Sequence, residues 1–139
     1  MPDRPLNVLV VDDNEDDLFF LQLAFARAGG GARVTGATGG REALSALGTG
    51  PRPDLVLLDW KMPGVTGADV LRATRANPAL IGLPVAILTS SDDPSDRRTA
   101  FEAGATAYLT KPPELDDYVE LARGIVCFWS RNLGLQDAP

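Results

Sequence analysis

The sequence predicts an α/β fold, a doubly wound, five-stranded parallel sheet with helices on both faces. Three observations carry that reading. Strand-like and helix-like patterns alternate five times along the 139 residues. The runs Leu6–Val11 and Leu55–Leu58 are apolar throughout, apart from Asn7, as in strands covered on both faces. The strand-like runs also end on polar residues, Asp12-Asp13, Asp59, Thr89 and Lys111. A parallel sheet brings such ends out at one edge, where ligands of these sheets bind.

Each element has its own signal. After the first strand, residues 15–28 place Leu18, Leu21, Phe25 and Ala28 at helical spacing, and Gly29-Gly30-Gly31 stops that helix. Residues 33–37 form a weaker strand and 40–47 a short helix ending near Gly48 and Gly50. Pro51 and Pro53 precede the third strand, 54–58, and Met62-Pro63-Gly64 turns into a helix over 68–76 with Val70 and Leu71 inward. The fourth strand is 84–88. Pro94 opens a helix to 103 at the favoured first-turn position, and Gly104 caps it. The fifth strand is 106–109, and the last and longest helix runs from 114 to about 131. The expectation is one domain over 1–139, with its core at about 5–131 and a frayed tail from 132.

Composition narrows the chemistry. Apolar residues at 45% and charged ones at 23% are ordinary for a globular domain, and no apolar stretch is long enough to span a membrane. The N-terminus has no signal-peptide pattern, and Cys127 as the one cysteine excludes an intramolecular disulfide, so a cytoplasmic location is expected. A net charge of -6 argues against nucleic acid as a partner. No histidine is present, which removes His general bases, His-ligated metals and a phosphohistidine on this chain. Carboxylate, hydroxyl and ammonium groups must carry the chemistry.

Three carboxylates, a hydroxyl and an amine around one point suit a hard divalent cation such as Mg²⁺ together with a phosphoryl group. Asp13 and Asp59 could bind the ion directly and Asp12 through a water. Packed carboxylates repel, so a cation and Lys111 are needed to keep them ionised. Other roles stay open for each residue. Asp12-Asp13-Asn14 could cap the first helix, Lys111 could be a surface lysine, and Thr89 could be an ordinary strand residue. Lys111 precedes Pro112-Pro113, which leaves a cis bond open there. The chemistry that follows is phosphoryl transfer onto Asp59, with Lys111 and Thr89 on the phosphoryl oxygens and Lys61, Met62 and Ser91 controlling access of water.

The stretches Val10-Val11-Asp12-Asp13-Asn14, Pro53 through Gly64, Leu88-Thr89-Ser90, and Gly104-Ala105 through Thr110-Lys111-Pro112 together resemble the receiver domain of bacterial two-component response regulators. The resemblance covers essentially the whole chain and implies the flavodoxin-like (βα)5 receiver fold. It implies that Asp59 is the phosphoacceptor, modified from the phosphohistidine of a sensor histidine kinase. It also implies that Lys61 offers its backbone carbonyl to the metal while its side chain faces the site. Tyr108 matches the aromatic that swings inward as Thr89 moves toward the phosphoryl group; the alternative is a half-buried strand aromatic that never moves. The conformational change is then expected on the face of the fourth helix, fifth strand and last helix.

No second domain is expected after Arg131, so output is expected through docking or self-association. In the last helix Tyr118, Leu121, Ala122 and Ile125 form an inward stripe, while Val119, Val126, Cys127, Phe128 and Trp129 add apolar area. That excess suits either a homodimer through this helix or extended core packing. The Phe128-Trp129 ending and the Asn14-Glu15-Asp16-Asp17 opening resemble the stand-alone regulators paired with phytochrome-type kinases. A haloacid-dehalogenase-type phosphatase would need an Asp-x-Asp nucleophile motif on the first strand, and Asp12-Asp13-Asn14 does not supply it. A receiver that is never phosphorylated would have lost Asp13, Asp59, Thr89 or Lys111, and all four are present.

Overall fold

The structure is a computed structural model and describes residues 4–132. In chain order the elements are β1 Leu6–Val11, α1 Glu15–Arg27, β2 Ala32–Ala37, α2 Gly40–Thr49, β3 Leu55–Leu58, α3 Gly67–Ala76, a 3-10 turn Pro78–Leu80, β4 Val85–Thr89, α4 Pro94–Glu102, β5 Ala107–Thr110 and α5 Leu115–Asn132. The five strands form one sheet in the order β2-β1-β3-β4-β5, every neighbouring pair parallel. The expected tail lies outside the described residues except for Asn132, which ends α5. Element ends shift by a residue or two from those expected, and the 3-10 turn carries no hydrophobic period that would announce it.

Alternate residues of the buried strands feed two cores. Val56 and Leu58 of β3 join the core under α2, α3 and α4, with Leu71, Ile87 and Ala100. Leu55 and Leu57 face the other way, into the core with Leu21 and Phe25 of α1 and Ala122 and Ile125 of α5. All four residues of β3 are buried, which is why the run reads as apolar without alternation. Near 25 cal/mol per Å² of apolar surface removed from water, these two cores are the main stabilising contribution. In α5, Val119, Leu121, Val126 and Trp129 rest against the α1-side core, so much of its extra apolar area is core packing. Cys127 and Phe128 stay exposed.

The chain leaves β1 toward β2 on one side and reaches β3 on the other, so the order of the strands reverses beside β1. A crevice opens at such a reversal, beyond the carboxyl ends of the strands. Backbone bonds extend the ladders past the strand ends there. Asp12 N donates to Ala37 O at 3.0 Å, Asp59 N to Val11 O at 2.9 Å, and Lys111 N to Thr89 O at 2.8 Å. The hydrogen-bonded ladder of the sheet thus extends to the backbone of these polar residues.

Candidate functional site

The first loop settles which residue caps α1. Asn14 does so, its side chain accepting from the backbone N–H groups of Asp16 and Asp17 at 2.9 and 3.1 Å. Asp12 turns back on itself, its Oδ1 accepting from Asn14 N at 2.9 Å. Asp13 is exposed and free of the capping role. Asp12 and Asp59 are buried, at 1% and 7% exposure. One oxygen from each of Asp12, Asp13 and Asp59 lies within 4.8 Å of the others. Three hard oxygen donors in that space fit Mg²⁺, which favours few carboxylates and retained waters.

Lys111 holds the acids together. Its Nζ lies 2.8 Å from Asp12 Oδ2, 2.9 Å from Asp17 Oδ2 and 3.2 Å from Asp59 Oδ2. Asp17 was absent from the expected set. It sits on the first turn of α1, and no local pattern in the sequence marks it as a partner of Lys111. Burial pushes the Asp12 carboxyl above its usual range in spite of Lys111 and the Asn14 N–H. Burial also works against the Lys111 charge, but the bonds from Asp12 and Asp17 and the charge of Asp59 raise its affinity for the proton well above that of an ordinary lysine. Burial, then the charge of Asp17, raises the Tyr118 phenol. One ammonium therefore faces several carboxylates, and the surplus negative charge invites a cation.

The structure brings Thr89 to the end of β4, buried at 1% exposure, with its Oγ1 accepting from Ser91 N at 3.4 Å. Tyr108 is buried rather than half-buried, and its hydroxyl donates to the Ser91 carbonyl at 2.9 Å. Lys61 extends into solvent, and its ammonium pairs with Asp96 Oδ2 at 3.3 Å on the first turn of α4. Pro112 follows a trans bond, since the described residues contain no cis peptide. Gly67 opens α3 against the Asp59 backbone. A Cβ there would collide with the Asp59 carbonyl and come within 2.7 Å of Trp60 Cα, so only glycine lets the helix sit this close.

Residues 8–123 match the family model described as the response regulator receiver domain. The chain is 38% identical over 88 residues to Response regulator Rcp1 of Synechocystis, covering 63% of this chain and 60% of that protein. It is 34% identical over 111 residues to Two-component response regulator ORR13 of Oryza sativa, covering 80% of this chain and 90% of that protein. A probable cyclic di-GMP phosphodiesterase of Vibrio cholerae is 37% identical over 105 residues, and the match spans only 23% of that longer protein. Among solved structures, a phosphorylated cyanobacterial phytochrome response regulator, RcpA, superposes with a TM-score of 0.83 at 28% identity, covering 92% of this chain and 96% of that one. The Mn²⁺-bound form of Rcp1 superposes with a TM-score of 0.79 at 29% identity, covering 97% and 98%.

Proposed function

The chain belongs to the response regulator receiver family, and on that premise we propose that it is a phosphorylation-dependent switch whose phosphoacceptor is Asp59. One observation carries the reading: a buried Asp59 at the end of β3, within ligand reach of Asp12 and Asp13 and 3.2 Å from Lys111. An Asp59 carboxylate oxygen attacks phosphorus in a partner kinase's phosphohistidine. The P–N bond breaks, its electron pair stays on the imidazole, and an acyl phosphate forms on Asp59. Asp12, Asp13, Asp59 and the Lys61 carbonyl would hold a Mg²⁺ ion, which when bound would supply the positive charge that the phosphoryl oxygens require. Lys111 and the Thr89 hydroxyl take the remaining oxygens, and the protein in this way assists its own phosphorylation and its later hydrolysis.

The signal then leaves through α4, β5 and α5. Thr89 Oγ1 accepts from Ser91 N at 3.4 Å, and moving inward to donate its proton to a phosphoryl oxygen lengthens that already long bond, which loosens the β4–α4 loop to which the Tyr108 hydroxyl is bonded. Several supports come from relatives: RcpA is described as phosphorylated and as a phytochrome response regulator, and Rcp1 as Mn²⁺-bound. They favour a phytochrome-type sensor histidine kinase as the donor and a divalent ion at the acids. The exposed Phe128, edge-on to Trp129 with centroids 4.9 Å apart, favours a homodimer through α5. Sedimentation in the micromolar range tests that pairing, and a monomer with and without phosphorylation would refute it.

Acetyl phosphate with Mg²⁺ should add one phosphoryl group by intact mass, and Asp59→Asn should abolish it. An adduct that survives in Asp59→Asn would overturn the assignment.

A further inference from the structure

We propose that Asp96 is a positioning residue that holds Lys61 in reserve, and that Lys61 exchanges Asp96 for an oxygen of the incoming phosphoryl group. The inference rests on Asp59 being the phosphoacceptor and concerns how the site admits an anionic donor. Its charges pose a problem. Lys111, the ammonium inside the site, is already shared by Asp12, Asp17 and Asp59. A doubly negative donor therefore approaches a rim where the nearby carboxylates outnumber that lysine.

Lys61 is a cation that the chain places beside that rim. It stands two residues beyond Asp59, on the loop between β3 and α3, and lines an open groove with Trp60, Met62, Thr66, Ala68 and Asp96. Its ammonium is parked on Asp96 Oδ2 at 3.3 Å while its side chain remains 66% exposed. An exposed pair of that length is weakly bound and easily exchanged. Asp96 is the more fixed partner. Its side chain is only 19% exposed, and the same Oδ2 accepts from the Ser91 hydroxyl at 2.6 Å. Ser91 in turn receives the Tyr108 hydroxyl on its carbonyl. When the ammonium leaves for a phosphoryl oxygen, Asp96 keeps the Ser91 bond and loses its counter-charge, on the same loop to which Tyr108 is tied. Arrival of the phosphoryl group is thereby felt at α4 by a second route besides Thr89.

The two members of such a pair affect the reaction in opposite directions. With acetyl phosphate and Mg²⁺, the Asp59 oxygen forms its bond to phosphorus as the acetate oxygen leaves with the electron pair, and the rate of adduct formation is read by intact mass. Asp96→Asn, whose amide oxygen can still accept from Ser91, frees Lys61 and should speed phosphorylation roughly three- to fivefold, the rate equivalent of one part-exposed ion pair. Lys61→Gln should slow it by a similar factor, and adding Asp96→Asn to Lys61→Gln should change nothing further. Asp96→Glu should restore the wild-type rate. The advantage of Asp96→Asn should shrink as salt is raised, because salt screens the wild-type pair and leaves a purely structural loosening untouched. A rate in Asp96→Asn at or below wild type, an acceleration that persists without Lys61, or one indifferent to salt would overturn the proposal. Failure of the wild type to form any adduct would instead refute Asp59 as phosphoacceptor, so the two failures are distinguishable.

Discussion

At the scale of single residues, Lys111 is the group whose removal costs most, because it is the counter-ion of three carboxylates. Lys111→Ala leaves them unneutralised and should lower stability by about 3–5 kcal/mol in a chelator, as when one partner of a buried ion pair is deleted. Mg²⁺ should recover part of that loss, since the acids still form its site; urea denaturation with and without Mg²⁺ measures both. Asp54 acts at the opposite end of the sheet. The Arg4 guanidinium, with Asn7 N donating at 2.8 Å, holds its carboxyl below the usual range although burial opposes this. A depressed carboxyl contributes stability that is present above its unfolded value, near 3.9, and is lost as pH falls through the lower folded value. Wild type should therefore lose stability below about pH 4 through this group, and Asp54→Asn should flatten that limb of the curve. At neutral pH the same substitution should cost only about 1 kcal/mol, since Arg4 is half exposed.

At the scale of elements, the junctions between strand and helix decide whether those residues meet. Gly67→Ala forces a methyl into the Asp59 carbonyl and the Trp60 backbone, so α3 must retreat from the site. The expected cost is about 1–3 kcal/mol, typical of overpacking. Phosphorylation of Asp59 should slow at temperatures where the variant remains folded, and thermal melts beside adduct rates separate the two effects. Arg75 joins α3 to the far sheet edge, donating to the Leu83 carbonyl at 2.6 Å and the Gly104 carbonyl at 2.9 Å. Neither tie is legible in the sequence, where Arg75 is one more charge on an exposed helix face. The strand ends were legible, because apolar runs covered on both faces stop abruptly at Asp12 and Asp59, and the strand-like β5 run ends just before Lys111. So was a role for Asn14-type residues as caps, although which one caps required the backbone. Asp17 and Asp96 were not, since nothing local shows that a first-turn carboxylate will meet a side chain from β5 or from the loop after β3. Tyr108 reads as an alternating strand residue until Ser91 folds over it. Pairings that depend on two loops approaching across the sheet lie beyond periodicity.

At the scale of the whole molecule, the site is a place where stability is given up for chemistry. Asp13 brings a further negative charge beside Asp12 and Asp59 and caps nothing, so in a chelator it repels its neighbours without compensation. Folding alone would favour a neutral residue there. Asp13→Asn should therefore raise the melting temperature in EDTA, by roughly 2–4 °C if the relief is near 1 kcal/mol for a chain of this size. In Mg²⁺ the order should invert. An ion that binds only the folded state stabilises it by about 2.7 kcal/mol at a hundred times its dissociation constant. Wild type should gain that increment and Asp13→Asn should gain little of it, so the two melting curves cross as Mg²⁺ is added. Differential scanning calorimetry over a Mg²⁺ series decides the matter. If Asp13→Asn gains as much from Mg²⁺ as wild type does, Asp13 is not part of the cation site. If it melts lower than wild type in EDTA, Asp13 supports the fold and the crowded acids are not in conflict with it. Crossing curves would mean that this sheet carries its charge because a cation and a phosphoryl group arrive to relieve it.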